Sequence, residues 1–386
     1  LEGDFTLAGK AWNWSAGYNH NSVAGNIKGT GNLNLLNLKK ALGPSFMNAS
    51  GVVQCGTAAN PIALGDCVPF NILGGPSASS KQALDYVMAV GQSTYGSTIN
   101  SATADISGEL FTLPAGAVGI AGGLEHRSVR GYDQPGQFEQ SGYSSDLAGN
   151  ATYGNYSVKE AYLEANIPVL KDKPFAKLLS LNLASRYSDY SNFGSTTNSK
   201  ASFMWKPVDD FLARGTWAEG FRAPSLGDTF GGGTQSFDDY MDICDSVNGQ
   251  RSNPTVAANC LAGGAPVGYR QVDQSGNPVD AGGNQSNVAF QAGAGNASLK
   301  PEIAKTKTLG FVYNPSFVPG LTASLDWFKV SVKNRITAID ADFVLDQCYL
   351  KGVASYCSVI KRDAAGNVIA LARGNALLQR ACHTHQ

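Results

Sequence analysis

The side chains best able to do chemistry are four carboxylates on alternating, β-type segments: Glu109, Glu125, Glu160 and Glu164. Two such groups a few ångströms apart form a general acid/base pair of the kind that cleaves glycosidic bonds. The same residues also make an ordinary solvated wall, because acidic positions recur on every strand of a polar lumen. The wall is the favoured reading. The histidines do not rescue an enzyme: His20 and His126 stand alone in their regions, so no serine or cysteine nucleophile has a base to activate it. Cys382, His383 and His385 are soft-metal ligand types, but they crowd into a segment that has lost all periodicity. No catalytic set, metal or cofactor is expected. Arg186, Arg214 and Arg222 suit an anionic ligand, and they equally suit neutralisation of the carboxylates.

The seven cysteines fall into close pairs, Cys55 with Cys67, Cys244 with Cys260 and Cys348 with Cys357, leaving Cys382 over. None has a double CxxC spacing. Loop-closing disulfides formed in an oxidising compartment are therefore expected rather than zinc.

The elements that hold these residues are mostly strands. Of 386 residues, 45 are glycine, 10% are aromatic and only 15% are charged, which favours short strands joined by polar loops. Lys and Arg (29) balance Asp and Glu (30), so nothing points to nucleic acid as a partner. No apolar run approaches the roughly 18–20 residues of a membrane helix. In Glu109–Arg130, two alternating runs bend around Pro114–Gly116. The second places Val118, Ile120 and Leu124 on one face and Glu125 and Arg127 on the other.

Ala161, Leu163, Ala165 and Ile167 alternate with Glu160, Tyr162, Glu164 and Asn166. Further alternating segments are expected at Asp4–Leu7, Ala11–Val23, Thr103–Thr112, Leu178–Tyr190, Lys200–Lys206, Phe211–Phe221, Thr306–Tyr313 and Leu321–Val332. In the last of these a change of parity at Trp327–Phe328 predicts a β-bulge. Short helices are expected at Leu35–Leu42 and Lys81–Val90 inside a loop from Ala24 to about Ser101. A weak strand is expected from Val368.

Sorting the connections decides the architecture. The short ones, at Ala8–Lys10, Pro114–Gly116, Pro168–Lys177, Pro207–Asp210 and Asn314–Gly320, fall at one end of the sheet. The long ones, including all that carry cysteine pairs, fall at the other: Ala24–Ser101, Gly131–Asn155, Ser191–Ser199, Arg222–Ile303 and Thr337–Asn367. Short periplasmic turns, long extracellular loops and strands that are apolar outside and polar inside describe an outer-membrane barrel. Lipid offers no partner for backbone amides or for Glu160, Glu164 and Arg186, so the sheet must close around a wet lumen. Nine or ten strands with loops of some eighty residues fit a slice of a larger barrel.

Four strings in order carry a resemblance: LFTLPAGAVGIAGGLEHR (Leu110–Arg127), GFRAPSLGDTF (Gly220–Phe230), ASLKPEIAKTKTLGFVYNPSFVPGLTASLDWFKV (Ala297–Val330) and DQCYLKGVASYC (Asp346–Cys357). Together they resemble the barrel region of TonB-dependent outer-membrane receptors. The resemblance implies an all-β, antiparallel transmembrane β-barrel of about 22 strands, of which this chain is a part, occluded by an N-terminal plug. It further implies non-enzymatic, TonB-energised uptake of a scarce extracellular ligand: a ferric siderophore, cobalamin or an oligosaccharide. The partners implied are the TonB complex, reached through a plug expected upstream of Leu1, the extracellular ligand and outer-membrane lipid. Residues 1–373 are expected to be barrel and 374–386 an atypical tail.

Two other readings of the pattern stay open at this stage. One is a passive porin or autotransporter translocator; the other is a secreted β-rich adhesion or carbohydrate-binding module. Long-loop aromatics Tyr132, Tyr143, Tyr153 and Phe237, with Arg222 at the rim, are the candidate ligand contacts, because aromatic faces stack on sugars and catechols. Phe221 is expected in an aromatic girdle.

Overall fold

The computed structural model describes residues 1–74, 80–273, 275–280, 287–291, 295–372 and 377–380; Cys382, His383 and His385 lie outside them. Ten strands form one antiparallel sheet in which every neighbour in space is also the next main strand along the chain. They are β1 (Glu2–Leu7), β2 (Lys10–Leu33), β3 (Met88–Leu113), β4 (Gly116–Pro135), β5 (Thr152–Lys173), β6 (Ala176–Tyr190), β7 (Gly194–Val208), β8 (Phe211–Arg222), β9 (Glu302–Tyr313) and β10 (Ala323–Lys333). This up-and-down order is what consecutive hairpins produce, and it is the wall expected of a barrel.

The lower turns are tight. Ala8 and Gly9 both take positive φ (50° and 75°), the backbone of a two-residue hairpin whose twist matches its strands. Pro114 and Ala115 join β3 to β4, and Leu113 pairs with Gly116 across them.

Period-two alternation separates the faces as expected. On one face Trp14, Ile106, Leu124, Leu163, Leu183, Phe203, Trp217, Leu309, Leu325 and Trp327 all stand exposed. So broad an apolar surface belongs against lipid, where one charged side chain at mid-depth costs about 2–4 kcal/mol. The hydrogen-bonded rows cross this face obliquely. One runs from Phe5 and Trp12 near the lower turns, through Gly108, Ile120, Ala165, Leu183 and Ala201, to Trp217, Lys307 and Lys329 in mid-strand. That stagger is the shear of tilted barrel strands.

Several boundaries differ from the sequence reading. Strands β2 and β3 run on to Leu33 and back from Met88, so the first long loop is far shorter than Ala24–Ser101. Likewise, β4 continues to Pro135 and β5 starts at Thr152. In these extensions the face that carried Trp14 and Ile106 turns polar, as at His20, Ser22, Thr98 and Asn100, while Val23, Ile27 and Ile99 stand among polar residues on the other, so hydropathy no longer alternates although the ladder persists. The connection expected at Ser191–Ser199 is only a turn, since β7 begins at Gly194. The Pro168–Lys177 connection narrows to Pro174 and Phe175, with a bulge between Pro168 and Leu170.

No bulge occurs at Trp327–Phe328. Register is unbroken from Tyr313↔Ala323 to Ile303↔Lys333, and Phe328, Val330 and Val332 are simply apolar residues on the inner face. The helices are Leu35–Ala41 and Lys81–Val87, close to expectation, capped by the side chains of Asn34 and Ser80. The late strand is present at Val368–Ala372.

Candidate functional site

The site is built in two storeys: a charged inner wall, and a compact unit made from the long outer loops. On the wall, Glu160 of β5 is nearly buried and collects Arg186 of β6 at 3.4 Å, Arg127 of β4 at 3.8 Å and a hydrogen bond from the Ser188 hydroxyl. Arg127 also meets Glu125 at 3.1 Å. Further down the same face, Glu164 accepts from Asn182 (2.8 Å) and pairs with Lys200 (3.5 Å), while the Tyr162 hydroxyl, between Glu160 and Glu164 on β5, donates to Asp105 (2.7 Å). The pairing Glu125↔Glu160 puts like charges side by side, and Arg127, which meets both, makes that arrangement tolerable. These carboxylates are thus committed to cations and hydroxyls of the wall. They are a polar lining of the wall.

At the upper rim, Arg222 ends β8. Its guanidinium donates to both Glu302 oxygens (2.8 and 3.2 Å) and to Asp228 (3.0 Å). Asp228 belongs to a single-turn helix, Leu226–Phe230, closed by a capping box with Ser225. Glu302 also accepts from the Ile336 amide at 2.7 Å. The helix lies on β4 and β5 because the wall there has no side chains. A Cβ at Gly154 would come within 2.3 Å of the Phe230 ring, and one at Gly131 within 2.9 Å of Leu226.

Above the rim, residues from two loops share one core. Tyr240, Ile243, Val256 and Tyr269 of the loop after β8 pack with Ile339, Val344, Leu345 and Tyr349 from beyond β10. A four-stranded sheet joins the same two segments: Gln235–Asp239, Asn287–Gln291, Val368–Ala372 and Ile360–Arg362. At the end of its edge strand Arg362 donates to both oxygens of Asp242 (2.6 and 3.0 Å) and to the Tyr349 hydroxyl (3.0 Å). The Arg362 guanidinium also lies over the Tyr349 and Tyr269 rings.

Burial works against the Arg362 charge, but the Asp242 carboxylate outweighs it and holds the guanidinium pKa above its ordinary value. Burial, and then the Asp242 charge, push the Tyr269 phenol up as well. Asp245 is fully enclosed. Burial pushes its pKa up, but amide donors at Asn248, Val247 and Gln271 and the Arg270 side chain prevail, leaving it below 3.8. This node escaped the sequence reading because its partners lie 120 residues apart in segments without periodicity. The available signal was the cysteine set within apolar strings such as FVLDQCYL.

The three expected disulfides, Cys55–Cys67, Cys244–Cys260 and Cys348–Cys357, are present, and the last two lie in the shared loop core. The candidate ligand contacts do not form one cluster with a common orientation. Tyr132 and Tyr153 are cross-strand partners stacked at 6.2 Å, on the face of β4 and β5 that carries Leu124 and Leu163, away from the inner wall. Tyr143 is exposed in the loop after β4, where its carbonyl accepts from the Leu35 amide of the first loop. Phe237 is exposed in the loop sheet. Arg222 is occupied by Glu302 and Asp228. Phe221 stands edge-on to Tyr190, which stacks on Phe193 at 4.5 Å.

Residues 2–369 match the family model described as TonB dependent receptor-like, beta-barrel. A probable TonB-dependent siderophore receptor PirA of Acinetobacter baumannii is 24% identical over 212 residues, 55% of this chain and 21% of that protein. Among solved structures, the siderophore receptor PirA from Pseudomonas aeruginosa aligns with 98% of this chain and 49% of its own, at 14% identity and a TM-score of 0.39. PirA from Acinetobacter baumannii aligns with 87% of this chain and 50% of its own, at 16% identity and a TM-score of 0.37. The chain thus spans about half the length of these solved receptors. With the family model covering nearly every residue, the chain belongs to the TonB-dependent receptor β-barrel family of the bacterial outer membrane.

Proposed function

We propose that this chain forms part of the wall and outer vestibule of a receptor that imports a ferric siderophore, using energy delivered through TonB. The observation that carries the reading is the pairing of a lipid-type outer face with a continuous charged inner wall, beneath a disulfide-closed loop unit, in a chain of this family. The inner wall offers a wet, hydrogen-bonding path. The loop unit offers a structured entrance that exposes Phe237, and the loop after β4 exposes Tyr143. These two aromatics are the proposed stacking contacts for the ligand. The family is one of transport receptors, and no step in this reading requires a catalytic residue. The relative's description as a siderophore receptor favours a ferric siderophore over cobalamin or an oligosaccharide.

Fluorescence-quenching titration of the complete receptor tests the choice of ligand. Saturation by a ferric siderophore, with cobalamin and oligosaccharides inert, supports it. Saturation by either of the other two overturns it.

A further inference from the structure

On the inner face, strands β2 and β3 run beyond the charged lining toward the long loops, and there they carry an open apolar strip. Between Asn19 and Ile27 on β2, and between Ser93 and Ser101 on β3, every inward position is uncharged. Among these residues Val23, Ile27 and Tyr95 are 60%, 57% and 41% exposed. The Tyr95 ring lies over Gly25, its partner across the ladder, where an added Cβ would come within 2.3 Å of it. One side of the ring therefore rests on backbone, and the other faces the lumen. Val23 and Ile27 are the inward residues on either side of Gly25. The rim helix stops short of this strip: Leu226 stands on Gly131, whose partner on β3 is Ser97, and Val23 comes next on β2.

Charge narrows what can occupy the strip. On its other side Tyr95 pairs with Asp133, a carboxylate that repels an anion. Arg127, Arg186, Lys200, Arg214 and Arg222, which line the same inner face, each already hold a carboxylate. The part of a ligand that rests here is therefore uncharged. A phenol face bordered by two branched aliphatic side chains suits a flat ring, which gains from stacking as well as from leaving water. Building on the ferric siderophore reading above, we propose that this strip seats an uncharged aryl group of the ligand. The receptor then selects aryl-bearing ferric siderophores over wholly aliphatic ones with the same iron-binding groups. Tyr95 adds a contact on the wall itself to the loop aromatics Tyr143 and Phe237.

Isothermal titration calorimetry of the complete receptor in detergent tests the seat with three neutral ferric complexes that share one donor set: the tris(benzohydroxamate), the tris(cyclohexanecarbohydroxamate) and the tris(acetohydroxamate). The wild-type receptor is expected to bind the phenyl complex about tenfold more tightly than either of the others, the worth of one good aromatic contact. Tyr95→Phe keeps that preference. Tyr95→Ser, which removes the ring, and Gly25→Ala, which lifts it from the wall, abolish it. Tyr18→Ser, on the opposite face of β2, leaves it intact, and unchanged heat-modifiable gel mobility certifies each barrel. A phenyl preference that survives Tyr95→Ser, or its absence from the wild type, overturns the aryl seat. Failure of all three complexes to bind overturns it too, whereas the siderophore reading is decided separately by the titration above.

Discussion

Arg222 and Glu302 face each other across β8 and β9 and form a two-pronged ion pair, with Nε to Oε2 at 2.8 Å and Nη2 to Oε1 at 3.2 Å. They belong to the strings GFRAPS and LKPE, which lie 80 residues apart and meet only in the folded sheet. The pair fixes where the longest outer loop leaves and re-enters the wall. Through Asp228 and the Ile336 amide it also holds the rim helix and the chain beyond β10.

Replacing Arg222 by Gln leaves Glu302 and Asp228 without their cation. Arg222 is half exposed, so the global cost is small, about 1 kcal/mol. The local effect is larger: limited proteolysis is expected to cut near residues 226–230 sooner, with barrel gel mobility unchanged. The reversed pair Arg222→Glu, Glu302→Arg is expected to recover part of the protection.

Gly154→Ala tests the rim helix from the other side. Its methyl group collides with the Phe230 ring, so the helix must lift from the wall, at a cost of about 1–3 kcal/mol. A cysteine at Thr229, which is buried in the native rim, is expected to react with a membrane-impermeant thiol reagent faster in the Gly154→Ala background.

The buried Arg362–Asp242 pair makes the two outer loops one cooperative unit. Arg362→Gln strands a carboxylate in an enclosed site and is expected to cost that unit about 3–5 kcal/mol. Hydrogen exchange checks it: amides of 240–271 and 339–371 lose protection together, while those of β4 to β7 do not. Loss in only one loop would mean that the loops are independent. Reducing the Cys244–Cys260 disulfide is expected to weaken the same unit by about 3 kcal/mol, for a closed loop of its size.

Acid acts on the same unit through Asp245. Its folded pKa lies below 3.8, so it contributes stability that is present above the unfolded value and is lost as pH falls through the folded one. Loop protection is expected to hold at neutral pH and to decline below about pH 4. Asp245→Asn, which sets an amide donor against the Gln271 amide and Arg270, is expected to lower protection at pH 7 by about 2–3 kcal/mol and to flatten the acid dependence. An unaltered acid profile in this variant would assign the transition to another group.

The wall was legible in the sequence because lipid on one side and water on the other force hydropathy into period two, as at Val118–Arg127 and Glu160–Ile167. The signal ended where the membrane ends. Beyond it, Ala24–Leu33 and Gly91–Ser101 lose the alternation, so they read as loop while remaining strand. At β10, apolar residues on both faces imitated a bulge. The cysteine pairs were legible from spacing, but the core that encloses two of them was not, since no local pattern records contact between residues 242 and 362. Tyr132 and Tyr153 read as loop aromatics for the same reason that β4 and β5 read as short. In the fold they are strand residues stacked on the outer surface.

The central claim is that this wall belongs to an energy-coupled importer. Cells lacking other siderophore receptors, and expressing the complete protein, can be assayed for accumulation of radiolabelled ferric siderophore with and without a functional TonB complex. The account predicts saturable accumulation that disappears when TonB is absent. Accumulation that rises linearly with concentration and is indifferent to TonB would instead identify a passive pore.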